Sequence, residues 1–532
     1  MGIPSYFSYI VKNHANIIKK LSANPIQVNN LYLDCNSIIY DAVHNIDFTK
    51  LVESDADTII RNVCSKIDEY VKQLSPTDTI YIAFDGVAPV AKLEQQRSRR
   101  YKSLYQNNIS RSIYKTTTPD PWNTTAITPG TLFMKKLNEK IRSTYSKPAN
   151  YNVGEIIISC SDDCGEGEHK LFEHIRNYPE KHRDTTTIIY GLDADLIMLS
   201  INHLPISNKI YLFRETPQFI KSINAELEPN ETYLMDIPEL ARIITLDMNN
   251  GAELVEEQQR NRIYDYIFLC FFLGNDFMPH FPSVNIRTGG VDKMLNAYKA
   301  TIGGTNENLT DGKKIFWKNV RKLVQFLADN EEDFFKNEAR LRDRKEKIPM
   351  ANITPDDKYK QFDSIPQYER SLEKYINPYK PNWQTRYYKT LFNIDVDETR
   401  RKQICTNYLE GLEWTMKYYT VGCPNWRWCY YHNYPPLFCD LIHYIPYFEA
   451  EFIENVKPHP VTDLVQLCYV LPKQSLQFLP EKLYHNLLKN RSEWYDTDTT
   501  FVWAYCKYFW ESHVNLPHID INELEKFVEN NK

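Results

Sequence analysis

Short apolar runs alternate with longer amphipathic stretches over roughly the first 200 residues of the chain. The runs read NLYLDCNSIIY, TIYIAFDG, EIIISC and TIIYGLDAD, and each contains or closely precedes an acidic residue. Apolar runs without polar alternation are typical of strands buried on both faces of a parallel sheet. The pattern therefore predicts an α/β fold with a mostly parallel, twisted sheet flanked by helices.

The acidic residues that follow these strands are predicted to meet at one edge of the sheet, because ligands of parallel α/β sheets lie beyond the carboxyl ends of the strands. Two glutamates lie where a glycine-containing loop is predicted to enter a helix, in SDDCGEGEHKLFEHI. An Asn-Asp pair follows a predicted buried helix, in YDYIFLCFFLGNDFMPH. The glutamates share the site only if they lie in the loop or first turn, since helix residues two apart face nearly opposite directions. The seven acids are Asp34, Asp85, Glu166, Glu168, Asp193, Asp195 and Asp276.

So many carboxylates near a core predict bound cations, because buried charges need a compensating partner. Mg²⁺ prefers oxygen ligands, and two such ions about 4 Å apart activate water and stabilise the departing oxygen of a phosphodiester. We expect two Mg²⁺ ions, with Mn²⁺ as a substitute. Strand-end aspartates that only cap helices or turns are the alternative, which explains a single residue better than the whole set.

The helix predicted after Asp85 supplies the opposite charge. FDGVAPVAKLEQQRSRRYKS has Pro89 in the position of a helix starter, and four polar side chains follow at i, i+4, i+7 and i+8: Lys92, Gln96, Arg99 and Arg100. This spacing places them on one helix face. Because arginine forks bind terminal phosphate bidentately, the face predicts a pocket for a chain end that carries phosphate. A solvated charged face is the alternative.

Composition and charge narrow the class of protein. The chain has 532 residues, of which 42% are hydrophobic and 25% charged, as expected for a soluble globular protein of several domains. Its net charge of −6 would repel a polyanion, so a nucleic-acid site must be a local patch. The eleven cysteines lack zinc spacing and indicate reduced thiols in the cytosol. The apolar run at 267–274 is too short for a membrane span, and no membrane contact is expected.

Three segments are predicted along the chain. Residues 1–336 form the N-terminal α/β domain. Residues 337–379, which include NEARLRDRKEKIPMANITPDD, are rich in charge and proline and are predicted to be a charged linker that begins as a helix. Residues 380–532 are predicted to be a second, mainly helical and aromatic-rich domain.

Six blocks resemble the signature blocks of the 5′→3′ exoribonuclease (XRN) family, in the family's order: MGIPSYFSYI, LYLDCNSIIY, FDGVAPVAKLEQQRSRR, GEGEHK, YGLDADLIML and FLGNDFMPH. NPYKPNWQTRYYKTLF and YLEGLEWTMKYYTVGCPNWRWCYYHNYPPLFCDL resemble the family's second conserved region. The resemblance implies a PIN/flap-nuclease-like fold and a processive, metal-dependent exonuclease. Such an enzyme degrades single-stranded RNA with a 5′-monophosphate to mononucleotides.

The resemblance also implies residue roles. The seven acids match the family's catalytic metal-site residues, and the four residues of the helix face match its 5′-phosphate pocket. Tyr40 stands where the family usually has a histidine that stacks on the terminal base, and its ring preserves that ability. Val90 stands where a basic residue is common. Trp426 or Trp428 takes the role of a family tryptophan beside the base, while core packing is expected for most aromatics of this block.

The resemblance favours a cytoplasmic member of the mRNA-decay type, compact and without the additional C-terminal domains of larger members. A monomer is expected, with a decapping enzyme as a candidate partner that supplies substrate. Two other functions stay open. A structure-specific, flap-type DNA nuclease shares the acidic strand ends but usually carries a helix-hairpin-helix element, which the sequence does not display. A catalytically silent RNA-binding protein should have lost metal ligands, and all seven acids are present.

Overall fold

The computed structural model describes residues 5–23, 25–48, 54–117, 122–218, 220–395, 397–454, 459–495 and 499–531. The first four residues of the MGIPSYFSYI block lie outside this part of the chain. The strands are β1 (Ile18–Lys20), β2 (Asn30–Asp34), β3 (Thr79–Ala83), β4 (Glu155–Ser159), β5 (Thr187–Tyr190), β6 (Ile210–Glu215), β7 (Thr232–Asp236), β8 (Thr500–Val502) and β9 (His513–Asn515).

Helices occupy most of the remaining described chain. They are α1 (Tyr6–Asn13), α2 (Asn36–His44), α3 (Asp55–Leu74), α4 (Val90–Tyr114), α5 (Leu132–Thr144), α6 (Gly167–Asn177), α7 (Pro179–His182), α8 (Asp195–His203), α9 (Ile237–Met248), α10 (Glu256–Phe271), α11 (Gly290–Thr301), α12 (Trp317–Glu346), α13 (Pro355–Asp363), α14 (Ser371–Ile376), α15 (Trp383–Leu391), α16 (Glu398–Thr420), α17 (Phe438–Leu441), α18 (Asp463–Val470), α19 (Glu481–Asn490) and α20 (Ile521–Asn531). In the described residues no helix is both long and apolar enough to cross a membrane.

The main sheet has the strand order β1-β7-β6-β5-β2-β3-β4. The five strands from β6 to β4 in this order are parallel, while β7 pairs antiparallel with both β6 and β1. The four runs recognised in the sequence form β2, β3, β4 and β5. The prediction of a mostly parallel sheet flanked by helices is confirmed.

Successive residues of the central strands face opposite helical layers. On β2, Leu31 and Leu33 pack in a cluster with apolar residues of α2, α3 and α5. Tyr32, between them, packs in a second cluster with residues of α6, α8 and α10. Because both faces are covered, every residue of β2 is buried, which explains its uninterrupted apolar pattern.

The strand register brings the carboxyl ends of β2, β3 and β5 together. Asp34 pairs with Ala83 across β2 and β3, and Leu33 pairs with Tyr190 across β2 and β5. The loops that leave these strands therefore start side by side. This edge is the one at which the sequence predicted the acidic residues to meet.

The helical second half shares its core with the sheet half. The larger hydrophobic cluster includes Tyr6 and Ile189 from the first half and Trp414 and Phe438 from the second. Helix α12 runs without a break through the predicted boundary at residue 336. The structure thus joins the segments that the sequence divided.

Residues 337–379, predicted to be a charged linker that begins as a helix, contain the end of α12 together with α13 and α14. Its charged side chains include a buried network: Arg342 donates to both oxygens of Glu373 at 2.8 and 2.7 Å, and Arg370 donates to Glu373 at 2.7 Å. Arg342 also donates to the carbonyl oxygen of Cys506 at 2.9 Å. Paired charges can be buried, so the charge density that indicated a solvated linker here belongs to packed helices.

The C-terminal helices pack against α4 and hold it in place. Leu93 of α4 packs in a cluster with residues of α18, α19 and α20. Buried Arg97 donates to the carbonyl oxygens of Pro517 at 2.8 Å and Trp494 at 3.1 Å. This packing orients the polar face of α4 relative to the acidic strand ends.

Candidate active site

The seven predicted acids all lie at the ends of strands or helices around one edge of the sheet. Glu166 occupies the N-cap position of α6 without a capping hydrogen bond from its side chain, and Glu168 lies in the first turn, which meets the condition under which the two can share a site. Asp34 ends β2, Asp85 follows β3, Asp193 lies between β5 and α8, Asp195 begins α8 and Asp276 follows α10.

Gly167 brings two of these carboxylates close together. Its backbone N–H donates to Asp85 Oδ1 at 2.7 Å. A Cβ at this position would lie 2.7 Å from Asp34 Oδ1 and 3.4 Å from Asp85 Oδ1, too close to the first for a side chain. Asn36 makes two hydrogen bonds with Asp85. Its side-chain NH₂ donates to the Asp85 carboxylate, and its side-chain oxygen accepts the backbone N–H of Asp85 at 3.1 Å. Any larger residue at position 167 would displace the Asp34 carboxylate.

The buried carboxylates repel one another. Burial raises the pKa of Asp34 well above its usual value, and Asp85 and Asp193 raise it further. Burial likewise raises the pKa of Asp195 to about 7, and Asp276 adds to the rise. Asp34 Oδ1 is buried without a hydrogen-bond partner among the described residues. A set of buried, mutually repelling oxygen ligands fits a divalent cation.

Lys92 places a positive charge among these carboxylates. Its ammonium lies 2.5 Å from Glu166 Oε1 and 2.6 Å from Asp276 Oδ2. Burial opposes a charged lysine, but Asp276 and Glu166 hold the pKa of Lys92 well above its usual value. In the described residues no three His, Cys, Asp or Glu side chains already converge on an ion-sized position.

The predicted face of α4 lies beside the acids, although its members point in different directions. Arg99 lines a cavity that also contains Asp276, whereas Arg100 donates to Thr128 Oγ1 at 2.8 Å. Arg100 Nε has no partner among the described residues, and burial lowers the pKa of Arg100 to about 10. Gln96 is half-buried. The buried, unused Nε donor of Arg100 fits an anion such as phosphate.

The two candidate tryptophans differ in their surroundings. Trp428 is buried, stacks on Trp414 with ring centroids 5.2 Å apart, and donates to Glu410 at 3.1 Å. Trp426 is half-buried, and its carbonyl oxygen accepts the N–H of Val90, the first residue of α4, at 3.0 Å. The structure places Trp428 in the core, which leaves Trp426 as the better candidate for a nucleotide contact. Tyr40 is also half-buried. Its electrostatic interaction with Arg100 raises the pKa of Arg100 and so opposes the effect of burial.

Two tyrosines of α16 contact the acids and were not predicted. The Tyr418 hydroxyl donates to Glu166 Oε2 at 2.9 Å, and the Tyr419 hydroxyl donates to Asp195 Oδ1 at 3.1 Å. The buried His169 ring stacks on Tyr418 with centroids 3.8 Å apart. The adjacent pair lies in WTMKYYT, within the block that resembles the family's second conserved region, and no role was predicted for either tyrosine. The helical second half thus helps to orient carboxylates of the first.

Replacing Tyr418 with phenylalanine should raise the Mg²⁺ concentration for half-maximal activity by about tenfold, because partners that orient metal ligands typically contribute this much to metal affinity. Titration of the predicted nuclease activity with Mg²⁺ measures the effect. Tyr447→Phe, an exposed tyrosine, is the matched control. A lower melting temperature with an unchanged Mg²⁺ requirement would restrict Tyr418 to a packing role.

Two family models match the chain. The model described as XRN 5′-3′ exonuclease N-terminus matches residues 1–216, and the model described as Xrn1 helical domain matches residues 257–370 and 367–531. The chain belongs to the XRN 5′-3′ exonuclease family. Members of this family are metal-dependent nucleases, and the chain is accordingly an enzyme that hydrolyses nucleic acid from the 5′ end. This membership favours the exoribonuclease prediction over the flap-type DNA nuclease.

The sequences of several exoribonucleases align with most of this XRN chain. The 5′-3′ exoribonuclease 2 of Gallus gallus is 25% identical over 99% of the chain and 70% of the relative. The 5′-3′ exoribonuclease 2 homolog of Drosophila melanogaster has the same identity and coverage. The 5′-3′ exoribonuclease 1 of Saccharomyces cerevisiae is 26% identical over 90% of the chain and 40% of the relative.

Proposed function

We propose that this XRN chain is a processive 5′→3′ exoribonuclease that degrades single-stranded RNA with a 5′-monophosphate to mononucleotides. The observation that carries the proposal is the position of the polar face of α4 directly beside the acidic cluster, through Lys92, Glu166 and Asp276. A phosphate held by that face lies next to the carboxylates. The relatives named 5′-3′ exoribonuclease support RNA as the substrate.

The 5′-phosphate pocket consists of Lys92, Gln96, Arg99 and Arg100. Lys92 belongs to both parts of the site: it is paired with Glu166 and Asp276 in the structure, and it would contribute its positive charge to the bound phosphate. Arg100 contributes the buried donor that has no partner among the described residues. A phosphate fixed by several donors sets the first phosphodiester at a constant distance, so each step removes one nucleotide.

The seven acids hold the cofactor, for which we propose two Mg²⁺ ions with Mn²⁺ as a substitute. When bound, such ions activate the attacking water and stabilise the oxygen that leaves. The chain's own residues orient this chemistry: Tyr418 positions Glu166, Tyr419 positions Asp195, and Gly167 with Asn36 positions Asp85. Each cleavage leaves a new 5′-phosphate that can enter the pocket again, which supports processive degradation.

The terminal base stacks between Tyr40 and Trp426. Trp426→Ala should lower kcat/KM on monophosphorylated RNA by about tenfold, because stacking of one base on an aromatic ring is worth about 1–3 kcal/mol. Its melting temperature should change little, since the ring is half-buried. Trp428→Ala, the matched control, should instead lower the melting temperature strongly. Unchanged kinetics of a folded Trp426→Ala variant would contradict this role.

The test of the proposed function is digestion of one labelled RNA with three 5′ ends, monophosphate, triphosphate and hydroxyl, in Mg²⁺ or EDTA. Release of mononucleotides from the monophosphate RNA, abolished by EDTA, is the expected result. Cleavage that ignores the 5′ end would refute the phosphate pocket, and binding without cleavage would indicate a silent RNA-binding protein.

The cellular setting follows from the same proposal. RNA with a 5′-monophosphate arises by decapping, so a decapping enzyme is the proposed supplier of substrate, and the cytoplasm is the proposed location. We propose that the enzyme acts as a monomer. Light scattering tests the monomeric state, and imaging of the tagged protein tests the cytoplasmic location.

A further inference from the structure

We infer that the RNA strand on the 3′ side of the scissile bond lies in the large cavity that begins at Asp276 and stacks on Trp510. This inference rests on the proposed function. The cavity has a volume of about 1040 Å³, and both residues line it. It is therefore continuous from the acidic cluster to the C-terminal segment that contains β9.

One wall of the cavity is a face of α4. Ala91, Gln95, Ser98, Arg99 and Lys102 line it, and the helix from Ala91 to Lys102 is about 16 Å long at a rise of about 1.5 Å per residue. At about 3.4 Å per stacked nucleotide, this length holds about four or five nucleotides. Lys102 marks the far end, where its ammonium donates to the carbonyl oxygen of Trp510 at 2.8 Å.

The far end of the cavity has the composition of a single-strand stacking site. The Trp510 ring is nearly parallel to that of Tyr508, at an interplanar angle of 17° and a centroid distance of 6.3 Å. The Arg287 guanidinium lies 5.7 Å from the Tyr508 ring and 5.8 Å from the Trp510 ring. Half-buried aromatic rings beside a cation are the elements on which unpaired bases stack without sequence preference.

The wall nearer the acids offers hydrogen bonds to a polar ligand. Gln95 Oε1 and Asn275 Nδ2 are buried atoms that have no hydrogen-bond partner among the described residues, and both side chains line the cavity. One is an acceptor and the other a donor, as contacts with ribose hydroxyls or base edges require. Arg287 is already paired with Glu511 at 2.6 Å. The far site therefore binds mainly by stacking and only weakly through charge.

RNA length is the variable that tests the inference. Trp510→Ala should raise KM about tenfold for a monophosphorylated RNA of about 20 nucleotides, the cost of one lost stacking contact. A monophosphorylated trinucleotide is too short to reach Trp510, so its cleavage should not change. Trp510→Tyr should restore binding of the long RNA because it keeps an aromatic ring. Phe448→Ala, an exposed aromatic residue outside the cavity lining, is the control.

Cross-linking of the unaltered enzyme gives a second measurement that does not depend on how the variants fold. RNAs with 5-iodouridine at successive positions from the 5′ end are bound in EDTA and irradiated. The peptide with Trp510 should cross-link from about the fourth to sixth nucleotide and not from the first. Equal effects of Trp510→Ala on both RNA lengths, or cross-links that never reach Trp510, would overturn the inference. Wild-type enzyme that degrades neither RNA would refute the proposed function instead.

Discussion

Asp195→Asn is expected to lower kcat on monophosphorylated RNA by about 10³-fold, because a lost ligand of the catalytic cations removes several kcal/mol of transition-state stabilisation. RNA binding in EDTA should be preserved, since Asp195 belongs to the acidic cluster and not to the phosphate pocket. Asparagine keeps the size of the side chain, and its oxygen can still accept the hydrogen bond of Tyr419. Single-turnover digestion and fluorescence anisotropy measure the two quantities.

The stability of this variant separates loss of a ligand from damage to the fold. In EDTA it should melt no lower than the wild type, because the amide removes a charge that burial disfavours. Mg²⁺ should raise the melting temperature of the wild type more than that of the variant, because an ion bound only to the folded state stabilises it. Asp329→Asn, on the exposed side of α12, is the control. Full activity of Asp195→Asn at ordinary Mg²⁺ concentrations would refute the ligand assignment.

Arg99→Ala is expected to remove most of the preference for a 5′-monophosphate. Its kcat/KM on monophosphorylated RNA should fall about 10- to 100-fold, because a charge-assisted hydrogen bond is worth about 1.5–3 kcal/mol. The rate on the same RNA with a 5′-hydroxyl should change little. The ratio of the two rates measures the pocket independently of the acidic cluster.

Two further variants refine this experiment. Arg99→Lys should retain part of the preference, since lysine keeps the charge but lacks the fork that binds two phosphate oxygens. Arg340→Ala removes an exposed arginine of α12 and should leave both rates unchanged. If Arg99→Ala slows both RNAs equally, Arg99 acts on the chemical step or on the strand and does not read the 5′ end.

The strands that surround the site were predictable because their sequence signal is local. The strands β2, β3, β4 and β5 have continuous apolar runs, and three of them are buried along their whole length. The strands β6 and β7 were not predicted, although β4, which was predicted, has more partly exposed residues than either. Position in the sheet does not explain the difference either, because β4 lies at an edge of the sheet and was predicted.

The linker prediction shows where charge alone misleads. Arg342 and Glu373 lie 31 residues apart and form a buried pair. A sequence displays each charge but not its partner, so a segment dense in charge looks solvated even when its charges neutralise one another. The same limit applies to Lys92, whose contact with Asp276 joins residues 184 positions apart.

The sequence by itself determined the family, the seven acids and the polar face of α4, because these features depend on residues that are near neighbours along the chain. Only the tertiary structure decided that Lys92 lies between Glu166 and Asp276, that Tyr418 holds Glu166 from 252 residues away, and that Trp428 is a core residue. Such contacts depend on how helices that are distant in the sequence pack together, and the local periodicity of the sequence does not indicate that packing.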